Sequence, residues 1–240
     1  MSRPLLSVVI PIYNEESALP ELFMRLYAAL DQLRLPYEVI LVDDASIDGS
    51  PRLLREQFPR RPQETRVVLL EFNVGQHMAI LAGFRHASGE RIVTMDADLQ
   101  NPPEEIGKLL AEMDRGYDYV GGARIDRQDS WWRRHASRAV NGLRARTTGI
   151  RMTDQGCMLR AYERHVVDLI LRSEEVNTFI PALAYRYARR PAEVGVVHEA
   201  RVAGASKYSL MRLVALNFDL MTGFVRRSNR RVVVNESFIR

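Results

Sequence analysis

Short apolar blocks punctuate the first half of the chain, and three of them stop at polar, mostly acidic clusters. Leu6-Ser7-Val8-Val9-Ile10 gives way to Pro11-Ile12-Tyr13-Asn14-Glu15, and Val39-Ile40-Leu41-Val42 to Asp43-Asp44-Ala45-Ser46. Arg91-Ile92-Val93-Thr94-Met95 gives way to Asp96-Ala97-Asp98-Leu99-Gln100. Continuous apolar blocks this short, rich in β-branched residues, predict strands buried on both faces. Between the first two, Leu19, Leu22, Phe23, Leu26, Ala29, Leu30 and Leu33 fall on helical spacing, which predicts a helix over 16–33. The pattern continues with a helix over 50–57, a strand over 67–70 and a helix over 76–87. Asn101-Pro102-Pro103-Glu104-Glu105 predicts the start of a helix running to about Arg115, with a cap, proline in the first turn and acids at the positive dipole end. A short strand from Tyr119 is expected to end at Gly121-Gly122. This rhythm argues for an α/β fold, with a mostly parallel central sheet and helices on both faces.

The second half is less regular. Helices are expected over 131–147, 164–171 and 179–187, an extended piece over 158–160 and a strand over 194–197. After Gly204-Ala205-Ser206, the segment 208–224 carries Leu210, Met211, Leu213, Val214, Leu216, Leu220 and Met221 on a broad apolar face beside Lys207 and Arg212. It reads either as a core helix or as a helix lying on a membrane surface.

Composition changes this picture in three places. With 240 residues, 46% of them hydrophobic, the chain is long enough for one sizeable core. A single cysteine, Cys157, excludes an internal disulfide and fits a reducing compartment. No run approaches the roughly 20 apolar residues that span a bilayer, and no signal-peptide pattern is visible. Net charge is only +4, but residues 124–151 hold eight arginines against two aspartates, and Arg226, Arg227, Arg230 and Arg231 form a second basic group. Such clusters are either solvated faces or seats for phosphate, anionic lipid or nucleic acid.

The acidic strand ends carry the chemistry. Ligands of parallel α/β sheets bind at the carboxyl ends of the strands. Residues i and i+2 of a strand share a side, so Asp96 and Asp98 are expected to converge. Two hard oxygen ligands suit Mg²⁺ or Mn²⁺, held together with substrate phosphates. The plainer reading is a turn or capping pair, but a repeated acidic ending points to one shared site. The first strand end contains no glycine, which excludes the common dinucleotide-binding turn, and no phosphate-binding P-loop is present.

The segments 7–15, 42–50 and 96–100 resemble, in order and separation, the inverting glycosyltransferases of family two, which have the GT-A fold. Asp98-Leu99-Gln100-Asn101-Pro102-Pro103-Glu104 is similar to the polyprenyl-phosphate branch of that family. Further motifs are Asn73-Val74-Gly75-Gln76-His77, Arg127-Gln128-Asp129-Ser130-Trp131, 156–162, Thr178-Phe179-Ile180-Pro181 and Ser206-Lys207-Tyr208-Ser209. These resemble the members that move 4-deoxy-4-formamido-L-arabinose from UDP to undecaprenyl phosphate in lipid A modification, giving polymyxin resistance. The resemblance runs from residue 6 to about 224. Such members continue into two transmembrane helices, whereas this chain reads on as Val225-Arg226-Arg227-Ser228 and a polar tail. The expectation is therefore peripheral attachment at the cytoplasmic face of the bacterial inner membrane, with impaired use of long lipid acceptors.

The resemblance implies roles for named residues. Pro11, Tyr13, Glu15, Asn73, Gly75 and Asp96 line the nucleotide, and Asp44 accepts from the uracil N–H, as an acceptor-only carboxylate can. Asp96 and Asp98 do the catalytic work with the metal, which Asp98 and Gln100 hold as Mg²⁺ or Mn²⁺. Asp154 orients the acceptor or acts as a weak base. Arg124, Arg133 and Arg134 take the acceptor phosphate, and Arg201 and Lys207 belong to a loop closing over the diphosphate. His198 reads as structural rather than as a metal ligand, and Cys157 as packing. The expected layout is one GT-A catalytic domain over 1–224, followed by a basic tail over 225–240. Its nucleotide-binding half spans about 1–123, its acceptor half 124–206 and the interfacial helix 207–224. Partners are a UDP-sugar, a polyprenyl phosphate and an anionic membrane surface, with no nucleic acid; oligomeric state is not readable. Alternatives left open are glucosyl, N-acetylhexosaminyl or mannosyl transfer to the same acceptor, a catalytically silent nucleotide-sugar sensor, and a nucleic-acid-binding module built on 124–151.

Overall fold

The computed structural model of the chain describes residues 4–125, 152–154, 156–173, 179–199 and 236–239. The apolar blocks form strands β1 (Leu6–Ile12), β2 (Tyr37–Asp43), β3 (Thr65–Leu70) and β4 (Arg91–Thr94). Between them lie helices α1 (Leu19–Gln32), α2 (Ser50–Gln57) and α3 (Gln76–His86). A 3₁₀ turn at Pro103–Glu105 leads into α4 (Ile106–Asp114), and β5 (Tyr119–Arg124) follows. The second half adds β6 (Arg160–Glu163), α5 (Arg164–Arg172), α6 (Ile180–Tyr187), β7 (Pro191–Val196) and β8 (Glu236–Ile239). The expected helices over 131–147 and 208–224 lie outside the described residues.

The strands form one eight-stranded sheet in the order β7-β5-β6-β4-β1-β2-β3-β8. Strands β3, β2, β1 and β4 are mutually parallel, as expected, while β6 runs antiparallel between β4 and β5. The chain moves outward from β1 through β2 to β3 and then returns to place β4 on the other side of β1. That reversal between β1 and β4 is the switch point at which α/β sheets open a crevice.

Alternation along the buried strands divides the core. Leu6, Val8, Ile10 and Ile12 pack with the apolar stripes of α1 and α4. Val9, Ile40, Val42 and Val68 pack on the other face with α3, α5 and α6. Helix α3 lies tight on the sheet, where a Cβ on Gly83 would fall 2.3 Å from a Val9 methyl.

Three expectations change. Strand β5 continues through Gly121-Gly122 to Arg124 instead of ending there. A Cβ on Gly122 would fall 2.9 Å from the Leu159 carbonyl and 3.0 Å from Cys157 Sγ, so the glycine admits a neighbouring segment rather than breaking the strand. Asn101 makes no capping bond. Its side chain is buried and donates to the Val197 carbonyl at 3.5 Å, and the 3₁₀ turn starts the helix. Within the stretch expected to be a polar tail, 236–239 pairs antiparallel with β3 and occupies an edge that would otherwise leave main-chain groups unpaired.

Gly83→Ala is expected to destabilise the fold, because overpacking of about 1–3 kcal/mol outweighs the roughly 1 kcal/mol that alanine contributes to a helix. Thermal unfolding should show Tm lowered by several degrees, with recovery in the Val9→Ala background. An unchanged or raised Tm in the single variant refutes the contact.

Candidate active site

Hydrogen bonds between main chain and side chain knit together the loops that follow β1 and β2. Asn14, in the left-handed region at φ +54°, donates its N–H to Ser46 Oγ at 2.9 Å, and its Oδ1 accepts the Ile47 N–H at 2.8 Å. The Glu15 N–H reaches Ser50 Oγ at 3.0 Å and the Glu16 N–H reaches Asp48 Oδ2 at 3.1 Å. This lattice leaves Tyr13 exposed and Pro11 and Glu15 half-buried on the rim of the crevice.

Asp44 is buried at the end of β2 and holds the loop after β3. Its Oδ1 accepts the Val74 N–H at 2.7 Å; its Oδ2 accepts the Gly75 N–H and Asn73 Nδ2, both at 2.9 Å. Burial pushes its carboxyl above the ordinary range, opposed by the Val74 and Gly75 amides. Asp44 is therefore an anchor for the Asn73–Gly75 turn as well as a candidate base reader. A carboxylate offers about four acceptor positions, so these three contacts leave one, on Oδ1. Gly75 sits at φ +89°, where glycine is favoured, and a Cβ there would meet open space.

The metal loop is built by a turn. Strand β4 ends at Thr94, so strand alternation does not place Asp96 and Asp98 as expected. Instead Leu99 takes φ +61°, and the Gln100 N–H donates to Asp98 Oδ1 at 3.1 Å. Asp96 is half-buried and accepts from Gln76 Nε2, at the start of α3, at 2.5 Å. Gln76 is thus a site residue to which the sequence reading assigned no role. Asp98 is buried.

His198 also lies next to this loop. Its segment is tied to the metal loop: the Glu199 N–H donates to the Gln100 carbonyl at 2.9 Å and the Val197 N–H to Glu105 Oε2 at 3.0 Å. Burial, then Arg124, lowers the His198 pKa, while Asp154, Asp98 and the Gln100 carbonyl oppose the shift. Its Nδ1 is buried with no hydrogen-bond partner among the described residues. A buried imidazole nitrogen without a protein partner is one that a divalent cation could take. Among the described residues no three His, Cys, Asp or Glu side chains are grouped so as to hold a metal ion. The site therefore fits an ion held partly by the ligand's own phosphates.

Arg124 and Asp154, given separate roles from sequence, form one unit. Arg124 Nε and Nη2 fork onto Asp154 Oδ2 and Oδ1 at 2.6 and 2.8 Å. The Arg124 N–H at 3.2 Å and the Gly156 N–H at 3.1 Å complete four bonds to that carboxylate. With its acceptor positions filled, Asp154 is placed to orient Arg124 rather than to take a proton. Behind it Arg160, fully buried, donates Nη2 to the Asp154 carbonyl at 2.8 Å and Nη1 to the Tyr119 hydroxyl. Burial and Arg160 together push the His77 imidazole down to about 4, so it is neutral beside this cation. Arg133, Arg134, Arg201 and Lys207 lie outside the described residues.

Comparison with known proteins places this architecture. The model of "Glycosyl transferase family 2" matches residues 7–171. An undecaprenyl-phosphate 4-deoxy-4-formamido-L-arabinose transferase from Edwardsiella ictaluri is 54% identical over 216 residues, covering 90% of this chain and 66% of the relative. The chain thus spans just under two thirds of that relative's length. A glucosyl-3-phosphoglycerate synthase from Mycobacterium tuberculosis, solved with Mn²⁺, UDP and glucosyl-3-phosphoglycerate, superposes with TM-score 0.64 at 17% identity, over 90% of this chain and 77% of that one. A mannosyltransferase from Pyrobaculum calidifontis, solved with GDP-mannose and Mn²⁺, gives TM-score 0.59 at 21% identity, over 85% and 59%. At these identities the two structures establish the shared fold.

Asp44→Ala is expected to release the turn at Asn73–Gly75. Losing hydrogen bonds to a charged acceptor costs about 1.5–3 kcal/mol, so Val74 and Gly75 amide exchange should accelerate roughly 10- to 100-fold. Unchanged protection of both amides refutes the anchoring role.

Proposed function

The chain belongs to glycosyl transferase family 2, and we propose that it moves 4-deoxy-4-formamido-L-arabinose from UDP to undecaprenyl phosphate, for use in lipid A modification. The observation that carries this reading is the 54% identity over 216 residues to a transferase of that name. The carboxylates and His198 at the switch point support it. Residues 1–123 act as the nucleotide-binding half and 124–206 as the acceptor half.

In this reading Pro11, Tyr13 and Glu15 line the nucleotide, and Asp44 takes the base N–H on its remaining Oδ1 position. Asn73 and Gly75 complete that wall, held by Asp44. Asp98 and Gln100, with His198 as a further donor, hold Mg²⁺ or Mn²⁺ against the diphosphate, and Asp96 lines the nucleotide beside them. A divalent ion bound there would neutralise the charge that builds on departing UDP. The attacking group is an oxygen of the lipid phosphate, whose second pKa is about 6. It is already largely dianionic at neutral pH, so no strong base is required. That agrees with Asp154, whose acceptor positions are filled. Its work is to hold Arg124, whose guanidinium keeps a fixed positive charge toward the acceptor phosphate. Arg133, Arg134, Arg201 and Lys207 would extend the same electropositive lining.

Turnover with a panel of UDP-sugars and a short polyprenyl phosphate tests this directly. The 4-deoxy-4-formamido-L-arabinose donor should be used best, and chelation of divalent ions should abolish activity. Arg124→Ala should raise KM for the acceptor at least tenfold more than KM for the donor. Preference for a glucosyl, N-acetylhexosaminyl or mannosyl donor would replace the sugar assignment, and activity indifferent to chelation would remove the metal.

Membrane contact is part of the same proposal. Among the described residues no helix is long and apolar enough to cross a membrane. The segment 208–224 and the arginines at 226–231 are proposed to rest on anionic lipid, each nearby basic residue contributing about 1 kcal/mol. Co-sedimentation with anionic liposomes is expected at low salt and should fall at high salt; no binding at low salt refutes the surface contact.

A further inference from the structure

One side chain from the helical layer fastens the segment carrying His198 to the loop carrying Asp98. Arg25 lies on α1, and its side chain is about one-fifth exposed. Its Nε and Nη2 donate to the two Glu104 oxygens, both at 3.0 Å. Its Nη1 and Nη2 donate to the two Glu199 oxygens at 2.9 and 3.2 Å. Glu104 sits in the 3₁₀ turn that follows the metal loop, and Glu199 comes directly after His198. Glu21, one helical turn away, adds a longer contact at 3.7 Å.

An isolated surface ion pair contributes little. This arrangement differs, because one guanidinium forks onto two carboxylates from different parts of the chain. Without the cation, Glu104 and Glu199 would confront each other as like charges, with Glu21 nearby. The main-chain bonds from Glu199 to Gln100 and from Val197 to Glu105 hold the backbone in place. The side-chain clasp ties the same two segments together a second time, from the α1 side.

We propose that Arg25 is a positioning residue for the metal site, holding His198 against Asp98 by clasping Glu104 and Glu199. The proposal rests on the reading of His198 as a metal ligand. It assigns function to a residue on the outer helical layer that contacts neither nucleotide nor acceptor in the reading above.

The test titrates Mn²⁺ into the full chain with UDP present and counts free ion by electron paramagnetic resonance. Arg25→Ala should weaken Mn²⁺ binding about tenfold, the low end of the range for partners that orient a metal-binding histidine. Arg25→Lys should recover only part of this, because an ammonium cannot fork onto two carboxylates. The Glu104→Ala/Glu199→Ala pair should reproduce the loss with Arg25 still in place, which separates the clasp from any general effect on α1. The decisive comparison is the double variant. If Arg25 acts through His198, Arg25→Ala changes nothing further in the His198→Ala background. Wild-type Mn²⁺ affinity in Arg25→Ala, or an equal further loss in the double variant, overturns the clasp while His198→Ala still shows the ligand. Wild-type affinity in His198→Ala instead overturns the ligand reading and the clasp with it.

Discussion

Main-chain N–H groups left without strand partners at the carboxyl edge of the sheet are the constraint on which the site depends. Strand β4 stops level with Val9, while β1 continues to Ile12 beside Asp43 of β2. Beyond those points the ladder gives out, and donors near the core still need acceptors. Short polar side chains supply them. Asp43 takes the Ser46 N–H, Asp48 takes Ser50 and Glu16, and Asp44 takes Val74 and Gly75. The acidic residues that mark these strand ends are therefore structural acceptors first. A crevice built this way is rigid because its walls have spent their hydrogen bonds on each other, and rigidity favours recognition of a nucleotide.

That double duty explains what sequence could show. Short-range pattern made β1, β2, β3, α1, α2 and α3 legible, because each buries a continuous block or a helical stripe within its own segment. The acidic clusters were legible as a shared site because parallel topology brings strand ends together. What stayed hidden depends on partners far along the chain. The pairing of Arg124 with Asp154 joins residues 30 positions apart. The place of His198 comes from the bond of its neighbour Glu199 to the Gln100 carbonyl, about a hundred residues earlier, which nothing in its own neighbourhood signals. Gly121 and Gly122 read as a strand end because glycine usually marks one; only the crowding of Gly121 by Arg160 and of Gly122 by Leu159 and Cys157 shows why a strand keeps them. The Asp96–Asp98 spacing suits strand alternation, whereas β4 ends at Thr94 and the pair lies in a turn.

Charge is distributed across this crevice in a consistent sense. Carboxylates come from the ends of β2 and β4, on the side where a cation and a nucleotide are expected. Cationic groups come from β5 and β6, on the side assigned to the acceptor. Arg124 does not stand alone there. It is forked by Asp154, whose carbonyl is in turn held by Arg160. An arginine forked in this way loses little freedom when it meets a phosphate, because its orientation is already set.

Arg160 is the costly member of that chain of contacts. It is fully buried, and its Nε has no hydrogen-bond partner among the described residues. Removing a charge from water costs several kcal/mol even after relaxation, and a hydroxyl, a carbonyl and the Met152 sulfur offset only part of it. The neighbouring His77 is kept neutral, which avoids setting a second buried cation beside the first. A core selected for stability alone would place an apolar side chain between β4 and β5. What the arginine supplies instead is a fixed attachment for the backbone at Asp154, and through it a fixed direction for Arg124. The stability given up at Arg160 is best understood as the cost of holding a cation still at the mouth of the crevice.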